Sequence, residues 1–323
     1  MTWGAPIWIY LWAAGMAGGA YLAGFVVDLF TKKDESKHIF KLAVYLGIPL
    51  VIIGVLLLII DLGSPLWFWH LFTQFKVVSP MSMGTWILIA WVVFALLLAV
   101  VWVIEGDIRR NASLYPARMP RLMERLSGFL PWIGLLLSMA VMSYTGVLIA
   151  VSNQPIWAST PLLPALFTAS AISTGVALLV LTAFVTNAVN KSSSAKLNSA
   201  VKWLFGSTGW TIPNKMIGRL AEADAIVIIV ESAVLIGYSV WLGTSSAAGA
   251  SEALALLTTG PVAILFWIGV VLLALLLPLA LDLFNWGKKL EEKSVMYAIT
   301  LSALSVLVGG LILRAVIVMG GQI

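Results

Sequence analysis

Eight apolar runs, near 7–30, 42–61, 84–104, 131–151, 162–189, 223–243, 261–282 and 296–319, alternate with polar connections along the chain. Each run approaches the roughly 20 residues that a helix needs to cross a hydrocarbon core of about 30 Å. The pattern predicts eight transmembrane helices, and an even number returns both termini to one side. The first run has no basic segment ahead of it and no small-residue cleavage site after it, so it reads as a retained span. Within the longest connection, Leu197, Val201, Leu204 and Phe205 recur at helical spacing opposite Lys196, Asn198, Ser199 and Lys202. That spacing predicts an amphipathic helix near 196–206 lying in the membrane interface.

Composition supports the membrane reading. Of 323 residues 61% are hydrophobic and 10% charged, with a mean hydropathy of +1.03, which a soluble domain could hold only by exposing large apolar patches. Charge then orients the chain. Of 19 Lys and Arg residues, 17 fall in the connections after the first, third, fifth and seventh runs, leaving Lys76 and Arg314 elsewhere. Short basic loops stay in the cytoplasm, so both termini and the other connections are expected on the extracytoplasmic face. The net charge of +5 follows from these loops and implies no nucleic-acid partner. The absence of cysteine excludes disulfides and thiolate-held iron–sulfur clusters within this chain. His38 and His70 fall in connections at opposite faces, so paired imidazole ligation of a haem is not expected either.

Three strings stand out near the face that the basic residues avoid. One is Asp61-Leu-Gly-Ser-Pro-Leu-Trp-Phe-Trp-His70, continuing to Ser79-Pro-Met-Ser-Met-Gly-Thr-Trp86. The second is Tyr144-Thr-Gly-Val-Leu148 with Pro155-Ile-Trp157 and Pro161-Leu-Leu-Pro164, and the third is Gly309-Gly-Leu-Ile-Leu-Arg314. Together, in this order and over nearly the whole chain, they resemble the NrfD/PsrC family of membrane subunits of polysulfide reductase and related iron–sulfur molybdoenzymes. The resemblance implies an anchor in a prokaryotic cytoplasmic (inner) membrane that exchanges electrons between menaquinone or another quinone and an outer partner. That partner would carry four-iron clusters and serve a molybdopterin catalytic subunit. It also implies a quinone site in the first four helices near the outer face. Tyr144 matches the family's span-four tyrosine, while its span-one polar pair falls here on Ile7 and Tyr10.

Several residues carry the candidate chemistry. Tyr144 lies deep in span four and needs a partner for its hydroxyl, either a quinone carbonyl, as the resemblance implies, or an interhelical Ser or Thr. Tyr10, Asp61 and His70 are candidates to hold the head group, with Trp8, Trp67 and Trp86 as walls. Asp61 and His70 could relay protons, Asp61 could instead cap its loop, and His70 could be a solvated interface residue. Glu231 lies inside span six, where an ionised carboxylate is costly unless paired or protonated. Arg314 is its candidate partner, for a structural ion pair or a proton-transfer role. Asp28, Glu105, Asp107, Glu222, Asp224 and Asp282 sit at inner helix ends, where carboxylates are expected to be solvated.

The expected fold is an all-α integral membrane protein of two four-helix bundles. Residues 1–157 would form the quinone-site half and 158–323 the second. A faint likeness between Ala14–Phe25 and Ser170–Leu181 fits two parallel halves, although small residues at close helix contacts would also produce it. Two rival functions remain. One is a secondary transporter with Glu231 as coupling carboxylate, and the other is a proton-translocating module of a larger respiratory complex. The uncharged outer connections 61–83 and 152–161 suit a permanent, apolar docking surface.

Overall fold

A computed structural model describes residues 3–31, 33–61, 65–67, 69–73, 79–151, 157, 160, 162–191, 212–246, 249–286 and 293–322. Eight helices in it are long and apolar enough to cross a membrane. They are α1 (Ala5–Phe30), α2 (Lys33–Asp61), α3 (Pro80–Arg110), α4 (Met119–Ala150), α5 (Leu162–Lys191), α6 (Asn214–Thr244), α7 (Leu265–Asn285) and α8 (Lys293–Gly320). Among the described residues there is no strand. The interfacial helix expected near 196–206 lies outside the described residues.

Several helices extend beyond their apolar runs at the basic end. α3 continues to Arg110 and α4 begins at Met119, ahead of its apolar run. Hydropathy marks where hydrocarbon ends, whereas Lys, Arg and Glu are good helix formers and carry the helix on into the headgroup layer. Local signals set other ends. Ser79 caps α3 by accepting from the Ser82 amide at 3.5 Å, with Pro80 in the first turn where its missing N–H costs nothing. In α7 the turns from Leu265 to Leu276 are wound wide, as a π-helix, and end just before Pro278, which cannot donate to the ladder.

α1 is a central strut: it packs against α2, α4, α5 and α8, and α5 packs in turn against α4, α6 and α8. The closest approach is between α1 and α5. A methyl group on Gly19 would overlap the Ala171 carbonyl, and one on Gly175 would overlap the backbone of Gly19 and Ala20. Small residues are what allow helices to meet this closely where no hydrophobic effect drives them together. The two strings likened in sequence therefore lie against each other, and their shared small residues are explained by that contact.

Outward faces carry Ile52, Ile53 and Leu56 on α2, Leu96, Leu97 and Val100 on α3, and Ile226, Ile229 and Val230 on α6, all exposed. Such a surface is at home only in lipid, and the protein is a multi-pass membrane protein. The two termini meet. The Trp3 amide donates to Gln322 Oε1 at 2.6 Å, and Gln322 Nε2 donates back to the Trp3 carbonyl at 3.1 Å. Trp157 stacks on Trp3 at 5.3 Å and donates Nε1 to the Ile317 carbonyl at 2.8 Å. Both ends are thus clasped on one side of the helices.

Candidate functional site

Near the terminal clasp, glycines bring two tyrosines together. Tyr144 is buried on α4, and its ring lies over Gly84 of α3, where any Cβ would overlap the ring and hydroxyl. This gives a role to the glycine of Ser79-Pro-Met-Ser-Met-Gly84. Gly146, two residues beyond Tyr144, lets α4 close on the backbone of Pro164 in α5, a contact that a Cβ would block. Tyr10 is fully buried on α1, and its ring abuts Gly54 of α2, 3.2 Å from where a Cβ would stand. The two phenols are close enough to interact electrostatically. Yet Tyr10 Oη has no aligned hydrogen-bond partner, although it is shut away from solvent. A hydroxyl in that state costs free energy until something accepts its proton or donates to it.

The remaining predicted residues spread outward from this pair. Ile7, the other span-one position, is buried and apolar. Trp8 is half-buried and packs on the core, and Trp86 lies at the exposed edge of α3. The carboxylate of Asp61 lies beside Gly4, the residue preceding α1, with Oδ1 3.5 Å from where a Gly4 Cβ would be. There it faces the positive end of the α1 dipole, about 9 Å along the helix from Tyr10 at 1.5 Å per residue. His70 belongs to a surface cluster: its ring stacks on Trp69 at 3.7 Å, lies 5.1 Å from Trp67, and its Nδ1 is 3.2 Å from the Trp67 carbonyl. The structure therefore gathers Tyr10 and Tyr144, places Asp61 nearer the surface, and groups His70 and Trp67 in an exposed aromatic patch. Gly54 and Gly84 escaped sequence reasoning as site residues. Their signal was a glycine inside a strongly apolar helix, where propensity argues against one.

A second polar centre lies among α5, α6, α7 and α8. Arg314 is fully buried and donates Nη1 to Ser170 Oγ at 3.0 Å and to the Gly310 carbonyl at 2.7 Å, with its guanidinium 5.5 Å from the Phe167 ring. The Gly309-Gly310 pair makes this possible, because Gly309 admits the backbone of Ala274 and Gly310 admits Thr174. Glu231 and Arg314 make no ion pair within 4 Å; both engage Ser170, which stands between them. Asp224 and Asp282 depart from the sequence expectation. Instead of being solvated they are 3% and 4% exposed, and each accepts a serine hydroxyl, from Ser173 at 2.8 Å and Ser302 at 2.9 Å. Their partners come from neighbouring helices, Ser173 from α5 and Ser302 from α8. Among the described residues no group of His, Cys, Asp and Glu side chains is arranged to hold a metal ion.

Residues 1–323 match the family described as polysulphide reductase, NrfD. The sequence is 31% identical to a polysulfide reductase polypeptide of Wolinella succinogenes, an alignment spanning 100% of this protein and 95% of that one. It is 25% identical to the protein NrfD of Escherichia coli over 100% of this protein and 96% of the relative. A shorter match, 30% identical over 31% of this protein and 23% of the relative, is to a selenate reductase subunit of Mesobacillus selenatarsenatis.

Proposed function

Because the chain belongs to the NrfD family, we propose that it is the quinone-reactive membrane anchor of a reductase complex. It exchanges electrons between a membrane quinone or quinol and an extracytoplasmic iron–sulfur subunit. That subunit serves a molybdopterin catalytic subunit on the same face. The relatives named as constituents of polysulfide and selenate reductases support the assembly. The neighbour relations of α1–α4 and α5–α8 support two four-helix bundles joined through α1 and α5. The basic loops support an orientation with both termini outside a prokaryotic cytoplasmic membrane.

The observation that carries the proposal is the buried Tyr10 hydroxyl, without an aligned hydrogen bond, set near Tyr144, whose ring lies over Gly84. These residues fit a neutral, flat head group with carbonyl oxygens: two O–H donors, glycine-lined walls and no fixed charge. A quinone supplies the electron-carrying chemistry when bound. Tyr144 and Tyr10 donate hydrogen bonds to a carbonyl oxygen, contacts that strengthen as negative charge builds there on reduction. Asp61, nearer the surface, takes up or releases the accompanying protons, and Trp8 and Trp86 wall the approach. The exposed Leu66, Trp67 and Trp69 patch, with His70 at its centre, is the docking surface for the iron–sulfur subunit. Losing one hydrogen bond in Tyr144→Phe should lower quinone-linked turnover about tenfold. Turnover of the partner's activity with artificial dyes should stay unchanged; equal quinone turnover in both forms would remove Tyr144 from the site.

The buried carboxylates favour a second reading, a proton-translocating module in a larger respiratory complex. Asp224 and Glu231 are seven residues apart on one face of α6, about 10 Å at 1.5 Å per residue, and Asp282 interacts electrostatically with Asp224. In sealed vesicles driven by an artificial quinol, this reading requires proton transport that Asp224→Asn removes while electron transfer continues. Transport unaffected by Asp224→Asn would leave the simple anchor.

A further inference from the structure

At the end of the protein remote from the clasped termini, a partly open cavity of about 560 Å³ lies among α1, α2, α3 and α4. Its apolar lining includes four rings, Phe25, Phe40, Trp102 and Trp132, beside Leu29, Ile108 and Met123, with edge-to-face contacts at 5.0 Å between Phe25 and Trp132 and 5.4 Å between Phe40 and Trp102. Its rim is charged with both signs, Asp28, Glu105 and Glu124 against Lys41 and Arg109. Lys41 Nζ stands 5.5 Å over the Trp102 ring, and Arg109 bridges to Glu105 at 2.7 Å. None of these residues takes part in the tyrosine site or in the polar centre of the second half.

Two glycines make the cavity informative. Gly106 on α3 and Gly128 on α4 both line it, and a Cβ at either would meet nothing within 4 Å. They differ from Gly19, Gly84 and Gly175, which close packing demands. A glycine inside a helix lowers helix stability relative to alanine, so one that no neighbour requires points to a use for the space it leaves.

We propose that this cavity binds the headgroup of a glycerophospholipid carrying an ammonium group. The lipid phosphate meets Lys41 and Arg109, and the ammonium meets Asp28, Glu105 and Glu124. The glycerol region lies over the aromatic floor. The acyl chains leave along the exposed Leu29, Phe129 and Trp132 on the adjoining outer surface. Charge complementarity selects this occupant. An anionic lipid brings only negative charge to a rim with three carboxylates and two cations, and a quinone head has no charges to meet either set. An aromatic floor beneath a charged rim suits an amphiphile better than water alone.

The test is retention of lipid by the full-length protein, and it requires neither quinone nor partner subunits. Wild-type protein is equilibrated with equal amounts of phosphatidylethanolamine and phosphatidylglycerol, and bound lipid is counted by native mass spectrometry. One phosphatidylethanolamine should persist under conditions that strip the rest. Gly128→Leu, which adds bulk at a lining position whose Cβ meets nothing within 4 Å, and Glu124→Gln, which removes one ammonium contact, should each cut that retention about tenfold. Gly237→Leu, also with open space at its Cβ but away from this cavity, should retain lipid like wild type. Equal retention in Glu124→Gln and Gly128→Leu, or phosphatidylglycerol held as tightly, would overturn the proposal. Should Gly128→Leu fail to fold, Glu124→Gln on the exposed rim still decides it.

Discussion

The two halves of the protein bury different kinds of polar group. In the second half the buried groups are charged and each is held by at least one internal hydrogen bond, Arg314 by Ser170 and the Gly310 carbonyl, Asp224 by Ser173 and Asp282 by Ser302. Arg314 Nε and Nη2, Asp282 Oδ1 and the Tyr238 hydroxyl make none among the described residues. In the first half, Tyr10 carries a neutral hydroxyl with no aligned hydrogen-bond partner, in electrostatic reach of a second phenol and walled by glycines. A bilayer interior offers no water to make up the difference. The second half is therefore built around buried charges tied to neighbouring helices, whereas the first places a pair of neutral phenols where a ligand with carbonyl oxygens can complete their hydrogen bonding. Glycine serves both ends: Gly309 and Gly310 bring helices close enough for Arg314 to bond, and Gly84 makes room for a ring.

The strongest test of the comparison is to break the seam that holds the halves in register. At Gly19 an added methyl would overlap backbone atoms of Ala171 and Ile172, which cannot swing aside as a side chain could. Gly19→Ala should lose about 3 kcal/mol or more, the upper end of the cost of overpacking. Thermal unfolding in mild detergent would show it, with both halves melting early because α1 and α5 belong to both contacts. An unchanged midpoint would mean that the helices separate freely and that the two halves are independent.

The second test addresses the polar core. Arg314→Met removes the buried cation that interacts with Glu231 through their shared neighbour Ser170. Removing one member of a buried charged set typically costs about 3 kcal/mol, because the remaining charge is stranded. Glu231→Gln added to Arg314→Met should recover a substantial part. A double-mutant cycle on unfolding midpoints reads the coupling directly. Strict additivity of the two substitutions would dissolve the network and leave two unrelated buried groups.

Much of this was legible from the sequence, for identifiable reasons. Hydrophobic run length reports bilayer thickness, so the eight spans were visible, and their ends were misplaced only where charged residues continue a helix past the hydrocarbon, as at Arg110 and Met119. Tyr144 and Tyr10 could be named from their strings, but their juxtaposition depends on Gly54 and Gly84, which lie on two other helices. The burial of Asp224 and Asp282 was invisible, because closeness to a basic loop along the chain says nothing about which helices stand between them in space. Arg314 was named as the candidate partner of Glu231, but its bond to Ser170 on α5 was not legible, because Ser170 lies on a helix that no string linked to either residue.

The smallest effect on stability gives the finest discrimination between the halves. Tyr10→Phe deletes a buried hydroxyl that makes no aligned hydrogen bond, so it relieves a poorly satisfied group more than it breaks a bond. Its unfolding midpoint should stay level or rise slightly. Ser173→Ala, in the second half, removes the donor to Asp224 Oδ1 and should cost about 1 kcal/mol or somewhat more, as for a hydrogen bond to a carboxyl group. Function should move the other way. Tyr10→Phe should weaken quinone-linked turnover several-fold, while Ser173→Ala should leave turnover near wild type. Midpoints and turnover measured on the same preparations settle it. If Tyr10→Phe destabilised the protein as Ser173→Ala does and left turnover alone, its hydroxyl would be one more internal support. The contrast between a charged core tied from within and a neutral site completed by a ligand would then fail.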